Sequence, residues 1–215
     1  MHYYHKINSM FKRESVNGGK ILIGEWATPE FGWLQDNKWV WTEKIDGTSI
    51  LIHFDGEKIT FGGHTVNSQI PFALVEKLHE LFDSKLQLFK DTFLPNEEGL
   101  TDVTFYGEGY GAGIQGGGGK YRKDKSFIGF DIRIGNIWLL RKDVEEIFTK
   151  FLIDVVPIVG YGNLNSAIEF VRNGFKSTFG DFIAEGLVVR PEVELRTRRG
   201  DRIITKIKYK DFKDL

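Results

Sequence analysis

The chain has 215 residues, 41% hydrophobic and 14% aromatic, enough to bury a sizeable core in one domain. Its 29 Lys and Arg against 30 Asp and Glu leave a net charge of −1, so no global field marks a polyanionic partner. No cysteine is present, which excludes disulfides, thiolate zinc sites and cysteine nucleophiles.

Taken in chain order, the opening "MHYYHKINSMFKRES" lacks the apolar stretch of a signal peptide, and no run of about 18 apolar residues follows it. A soluble, cytoplasmic protein without a membrane partner is expected. "WVWTEK", "SILIHF" and "KITFGG" read as strands, with Asp55-Gly56 in "HFDGEKITF" marking a hairpin. Pro71 opens a helix over "PFALVEKLHELF", whose Leu74, Val75, Leu78, Leu81 and Phe82 share a face. "VTFYGEGYG" and "SFIGFDIRI" are strands flanking a loop, residues 109–126, with seven glycines. So much backbone freedom costs folding entropy, so the loop is expected to move or to let a ligand approach closely. "RIGNIWL" marks a second hairpin. "RKDVEEIFTKFLI" and "NSAIEFVRNGF" repeat the helical period, with Gly174 placed to end the latter. "FIAEGLVVR" and "RIITKIKY" close the chain as strands. Strands and helices do not alternate strictly, so the expected class is α+β with largely antiparallel sheets flanked by helices.

Charge is distributed unevenly. Arg190 to Lys213 holds nine Lys or Arg against four Asp or Glu, a local +5 suited to phosphates. Charges also recur inside apolar strands. Lys44 follows "WVWTE", Glu108 lies in "VTFYGE", Asp131 in "FIGFDIRI" and Glu185 in "FIAEGLVV". Lys206 and Lys208 are two apart and share a strand face. A lysine in a strand ordinarily snorkels outward. Five strands each with one or two half-buried charges instead imply a common polar cleft between sheets, because such charges are costly unless paired or used.

Lys44-Ile45-Asp46-Gly47 has the K-x-D-G form of a nucleotidyl-lysine signature, and "FYGEGYG", "FIGFD", "AEGLVVR" and "TKIKY" follow in order. In these residues the chain resembles the covalent nucleotidyltransferase superfamily of ATP-dependent ligases and mRNA capping enzymes. It is most similar to RNA ligases of the phage nick-sealing type, over about residues 5–213. The resemblance implies a ligase-type adenylation domain spanning 1–215, with neither an OB-fold nor a C-terminal helical domain. It implies an ATP-dependent RNA ligase joining 3′-OH and 5′-phosphate ends of RNA, or of DNA, at strand ends or nicks. The cofactors would be ATP and Mg2+ or Mn2+, with no obligate protein partner, and a phage-encoded protein would work in the host cytoplasm.

Roles follow from the same likeness. Lys44 is the nucleophile, and it must shed a proton to attack, since a lysine near pKa 10.4 is almost wholly protonated. Lys206 and Lys208 grip the α-phosphate, and Glu185 holds the metal directly or through water. Glu108 takes a ribose hydroxyl, Phe130 stacks on adenine, and Asp131 orients the strand of Phe130 or binds ion-bound water. Glu43 lays its backbone near the adenine edge, Asp46 shapes the lysine's turn, and Gly47 leaves room for phosphate. His64, where such ligases commonly carry arginine, and the basic run Arg196, Arg198, Arg199 and Arg202 would meet nucleic-acid phosphates. Ser49 stands where asparagine is expected. Three other readings stay open: a compact DNA ligase or one tolerant of both sugars, a GTP-using capping enzyme, and a decayed non-catalytic RNA-binding module.

Overall fold

The computed structural model describes residues 2–14, 19–99 and 101–213. In chain order the elements are β1 (Asn8–Ser9), β2 (Phe11–Arg13), β3 (Ile21–Trp26), α1 (Pro29–Trp33), β4 (Trp39–Glu43), β5 (Thr48–Phe54) and β6 (Ile59–Gly62). These are followed by α2 (Phe72–Phe82), α3 (Leu86–Thr92), β7 (Val103–Gly111), β8 (Lys125–Ile134), β9 (Ile137–Trp138) and α4 (Arg141–Lys150). The chain closes with β10 (Ile158–Gly162), α5 (Leu164–Arg172), β11 (Gly186–Pro191) and β12 (Thr205–Lys208). It divides into two compact units. The first takes Met1–His5 and Asp46–Val156, and the second Lys6–Ile45 and Pro157–Leu215.

The first unit is a five-stranded sheet in the order β6-β5-β7-β8-β9, antiparallel throughout. Ile50, Ile52 and Phe54 alternate along β5 onto one face. They meet Leu74, Leu78 and Phe82 of α2, Phe89 of α3, and Val144 and Phe148 of α4, all at 1% exposure or less. The core is aromatic: the Phe105 ring packs against Phe89, Phe93, Phe148 and Phe151. Burying each such side chain contributes about 1.5–3 kcal/mol. Gly56 (φ +98°) and Gly135 (φ +53°) turn the two hairpins expected from Asp-Gly and Gly-Asn, conformations that a side chain with Cβ resists.

The second unit has a sheet in the order β1-β12-β11-β4-β10, antiparallel except for β1 beside β12, and a separate β2–β3 hairpin. Strand β4, between β11 and β10, is buried along its whole length. Trp39 and Trp41 pack with Leu187, Val189 and Ile207, and with Leu164, Ala167 and Val171 on one face of α5. Asn163 caps α5 by accepting from Ser166 N–H, and the N–H of Gly174 closes its end on Val171 O.

Three details depart from expectation. The strand expected over 182–190 starts only at Gly186. Strand β10 is not among the expected strands: a Cβ at Gly160 or Gly162 would come within 2.7 Å of the Trp41 ring, so the indole favours glycine there. The glycine loop is ordered at both ends. Strand β7 runs to Gly111, Ala112 N–H donates to Arg122 O, and Tyr121 is buried. Its glycines let backbone lie on backbone, with Gly118 against the Gly111 carbonyl.

Candidate active site

In the second unit Lys44 follows directly on β4. Its N–H donates to Gly186 O at 2.9 Å, which extends the β4–β11 ladder to the nucleophile candidate. Its Nζ donates to Glu185 Oε2 at 2.7 Å. The other oxygen of the same carboxylate, Oε1, takes Lys208 Nζ at 2.8 Å. The three side chains are 16–21% exposed. Register explains why they meet: Gly186 pairs with Lys208 and Leu187 with both Ile207 and Glu43, so β4, β11 and β12 deliver their charges to one end of the sheet.

The electrostatics follow. Burial would raise the pKa of Glu185, but Lys44 and Lys208 outweigh it and hold the carboxyl below its usual range. Lys206, on the same face of β12, is pushed below the ordinary lysine range by burial, then by Lys208 and Lys44, with Glu185 opposing and Lys6 adding to the fall. This is a patch of ammonium groups around one carboxylate, the charge pattern that a polyphosphate complements.

Glu43 is 1% exposed, and among the described residues it forms no salt bridge. Ser177 Oγ donates to Oε1 at 2.5 Å, while Thr178 N–H and Thr178 Oγ1 donate to Oε2 at 2.9 and 2.8 Å. Its carboxylate therefore ties β4 to the segment leading into Glu185, while its N–H donates to Pro157 O at 3.0 Å. Ser177 and Thr178 carry no recognisable signal in "KSTFGDF".

In the first unit the Asp46–Gly47 turn is clamped from the glycine loop. Asp46 N–H donates to Tyr121 Oη at 3.2 Å, and Gln115 Nε2 to Gly47 O at 3.3 Å. The volume a Cβ on Gly47 would need is taken by Glu108 Cγ, 2.6 Å away, and by the Gly109 carbonyl. Close contact with β7 is thus by itself a reason for glycine at this position. Glu108 lies half-buried on β7, opposite Ser49 on β5 and Ile128 on β8.

Phe130 occupies a β-bulge. Tyr106 pairs with Asp131 and Gly107 with Gly129, so Phe130 is the surplus residue of β8 and stands half-buried outside the ladder. Bulges re-aim side chains in this way, and this one sets Phe130 apart from the phenylalanines of the aromatic core. Asp131 is 2% exposed and accepts from Tyr4 Oη.

The expected phosphate contacts divide. Arg196, Arg198 and Arg199 are exposed on a small hairpin closed by an Arg196–Arg202 bridge. Arg202 is not on the surface with them: its side chain is 4% exposed, and its Nε and Nη2 reach Glu194 at 2.6 and 3.1 Å. Buried against Glu194, it braces the base of the hairpin. His64 is exposed in the loop after β6.

Among the described residues no group of three or more His, Asp or Glu is arranged to hold a metal. A lone carboxylate fits an ion that keeps its water shell and takes few protein ligands, as magnesium does, and of the carboxylates in this cluster Glu185 would be the one to meet such a shell. Among the same residues no helix is long and apolar enough to cross a membrane.

A family model described as RNA ligase matches residues 37–209. A comparison with curated protein sequences finds no match. Solved structures of Naegleria gruberi RNA ligase share the fold. The one with PPi is 20% identical, with TM-score 0.63, and covers 94% of this chain and 63% of that one. A mutant with ATP and Mn is 19% identical, with TM-score 0.62, covering 84% and 52%. Another, with AMP and Mn, is 17% identical, with TM-score 0.62, covering 97% and 64%. The chain spans between half and two thirds of the length of these structures.

Proposed function

The chain belongs to the RNA ligase family, and from that premise we propose that it is an ATP-dependent polynucleotide ligase that joins 3′-OH and 5′-phosphate ends of RNA. The observation that carries this reading is the Lys44–Glu185–Lys208 arrangement, with Lys206 beside it. In the first step Lys44 gives up its ammonium proton to solvent, and Nζ attacks the α-phosphorus of ATP and sheds a further proton as the phosphoramidate forms. The N–P bond forms as the bond to the bridging oxygen breaks, and pyrophosphate leaves. Lys206 and Lys208 offset the charge gathering on the phosphoryl oxygens, since this class of transfer depends chiefly on position and electrostatics. A divalent ion, when bound, supplies further neutralisation of that charge. A 5′-phosphate oxygen of the nucleic acid then takes AMP from Lys44. Finally a 3′-hydroxyl displaces AMP, forms the phosphodiester and gives up its proton.

Within this reading Glu108 receives a ribose hydroxyl and Phe130 the adenine face. Asp46 and Gly47 hold the turn after the nucleophile, and Glu185 meets the waters of the ion. His64, Arg196, Arg198 and Arg199 meet strand phosphates. Residues 1–215 form one adenylation domain of the nick-sealing phage type. A cytoplasmic setting goes with the need for ATP. The named relatives, structures of an RNA ligase with ATP, AMP, PPi and Mn, support the choice of nucleotide and ion class.

The test is direct. Incubation with ATP and magnesium should add one AMP to the intact mass, and Lys44→Ala should abolish the adduct. Persistence of the adduct in that variant would assign another nucleophile. GTP should give no adduct.

A further inference from the structure

Residues 2–5 fold back onto the first unit at the place where β8 bulges. Tyr106 Oη donates to His2 O at 2.8 Å, and His2 Nε2 lies 3.3 Å from Asp102 Oδ2, so this segment is pinned to the sheet. Tyr4, 7% exposed, is its centre. Its ring meets Phe130 edge-on, with centroids 5.1 Å apart and planes at 77°. On other sides it touches Tyr106 at 5.1 Å, Trp138 at 5.4 Å and the stacked His5 ring at 4.5 Å. Its hydroxyl donates to Asp131 Oδ2 at 2.5 Å.

Two facts make this more than core filling. Phe130 has left the ladder, so its backbone lacks the paired neighbours that fix a strand residue, and its ring orientation depends on lateral contacts. The carboxylate next to it is almost wholly buried, where a core built for stability alone would place an apolar side chain. One tyrosine grips both the displaced ring, by its edge, and the following residue, by its hydroxyl. We propose that Tyr4 is a positioning residue for nucleotide binding, acting through Phe130, whose ring it holds at the angle at which a purine stacks. This rests on the reading of Phe130 as the adenine-stacking face.

The test is calorimetric titration with α,β-methylene-ATP, which cannot transfer AMP, and with inorganic tripolyphosphate, which carries charge but no base. Tyr4→Ala should weaken the nucleotide about two- to tenfold, the range expected of one aromatic pair, and leave tripolyphosphate unchanged. Tyr4→Phe keeps the ring and should restore affinity to within about twofold of the native protein. In a Phe130→Ala background Tyr4→Ala should add no further loss. Unchanged tripolyphosphate affinity also shows that each variant is folded. If Tyr4→Ala does not fold, Tyr4→Leu keeps an apolar side chain in the core without the ring or hydroxyl and carries the test. The proposal is overturned if both ligands weaken together, if Tyr4→Phe binds as poorly as Tyr4→Ala, or if the Tyr4 and Phe130 losses add. It is also overturned if Phe130→Ala weakens the nucleotide while Tyr4→Ala does not. Should Phe130→Ala itself bind the nucleotide normally, the stacking assignment fails first and takes the proposal with it.

Discussion

The two units place charge in a sheet in opposite ways. The second gathers Lys44, Lys206 and Lys208 around one Glu185 carboxylate and leaves Lys44 and Lys208 19% and 21% exposed and Lys206 half-buried, within reach of a charged ligand. The first encloses a single carboxylate, Asp131, under a tyrosine and surrounds it with rings. Charge in the second unit is incompletely neutralised and available, whereas in the first it is sealed and serves shape.

The largest expected effect comes from breaking the exposed cluster. Glu185→Ala should cut AMP adduct formation about 10–100-fold, as loss of a group orienting an ion's shell does, and blunt its response to magnesium concentration. It should also alter acid stability. The folded-state pKa of Glu185 lies below 4.5, so the unfolded chain binds its proton more readily. The carboxylate therefore stabilises the fold above about pH 4.5, and that contribution is lost as pH falls through the lowered value. Chemical denaturation at stepped pH should show this acid limb shrink in the variant.

Lys206→Met sharpens the contrast in the other direction. The ammonium of Lys206 is disfavoured in the fold, so between its lowered pKa and 10.5 the unfolded chain holds more protons, and stability rises with pH across that window. The substitution should flatten that rise and raise neutral-pH stability while slowing adduct formation, a stability–activity trade-off. Lower stability at neutral pH would contradict it.

The smallest effect concerns the arginine hairpin. Removing Arg198 or Arg199 should leave the AMP adduct intact and reduce the slope of log affinity against log salt, measured on an RNA strand, by about 0.7–0.9 for each phosphate no longer neutralised. Unchanged slopes would take the hairpin out of the strand-binding surface.

Much of this was legible in the sequence because it rests on short-range pattern. The 3.6-residue period announced α2, α4 and α5, and Asp-Gly and Gly-Asn announced the hairpins. The charged residues inside apolar strands pointed to Lys44, Glu185 and Lys208, which register then brings into contact. What escaped depends on partners distant in the chain. Strand β10 is dictated by an indole above its glycines, and α1 is only five residues long. Arg202 looked like its exposed neighbours until Glu194 paired with it. Tyr4 meets Asp131 across 127 positions, a separation over which no local pattern carries information.

The surplus residue in β8 also settles a matter of parity. On β7, Val103, Phe105, Gly107 and Gly109 keep one phase and pair with Ile134, Ile132, Gly129 and Phe127. Phe127 and Ile132 both belong to the aromatic core although their numbers differ by five, which an uninterrupted strand would send to opposite faces. Position 130 therefore works as a counter as well as a side chain. Exchanging its identity alters one contact, but deleting it would turn Ile132 and Ile134 outward together.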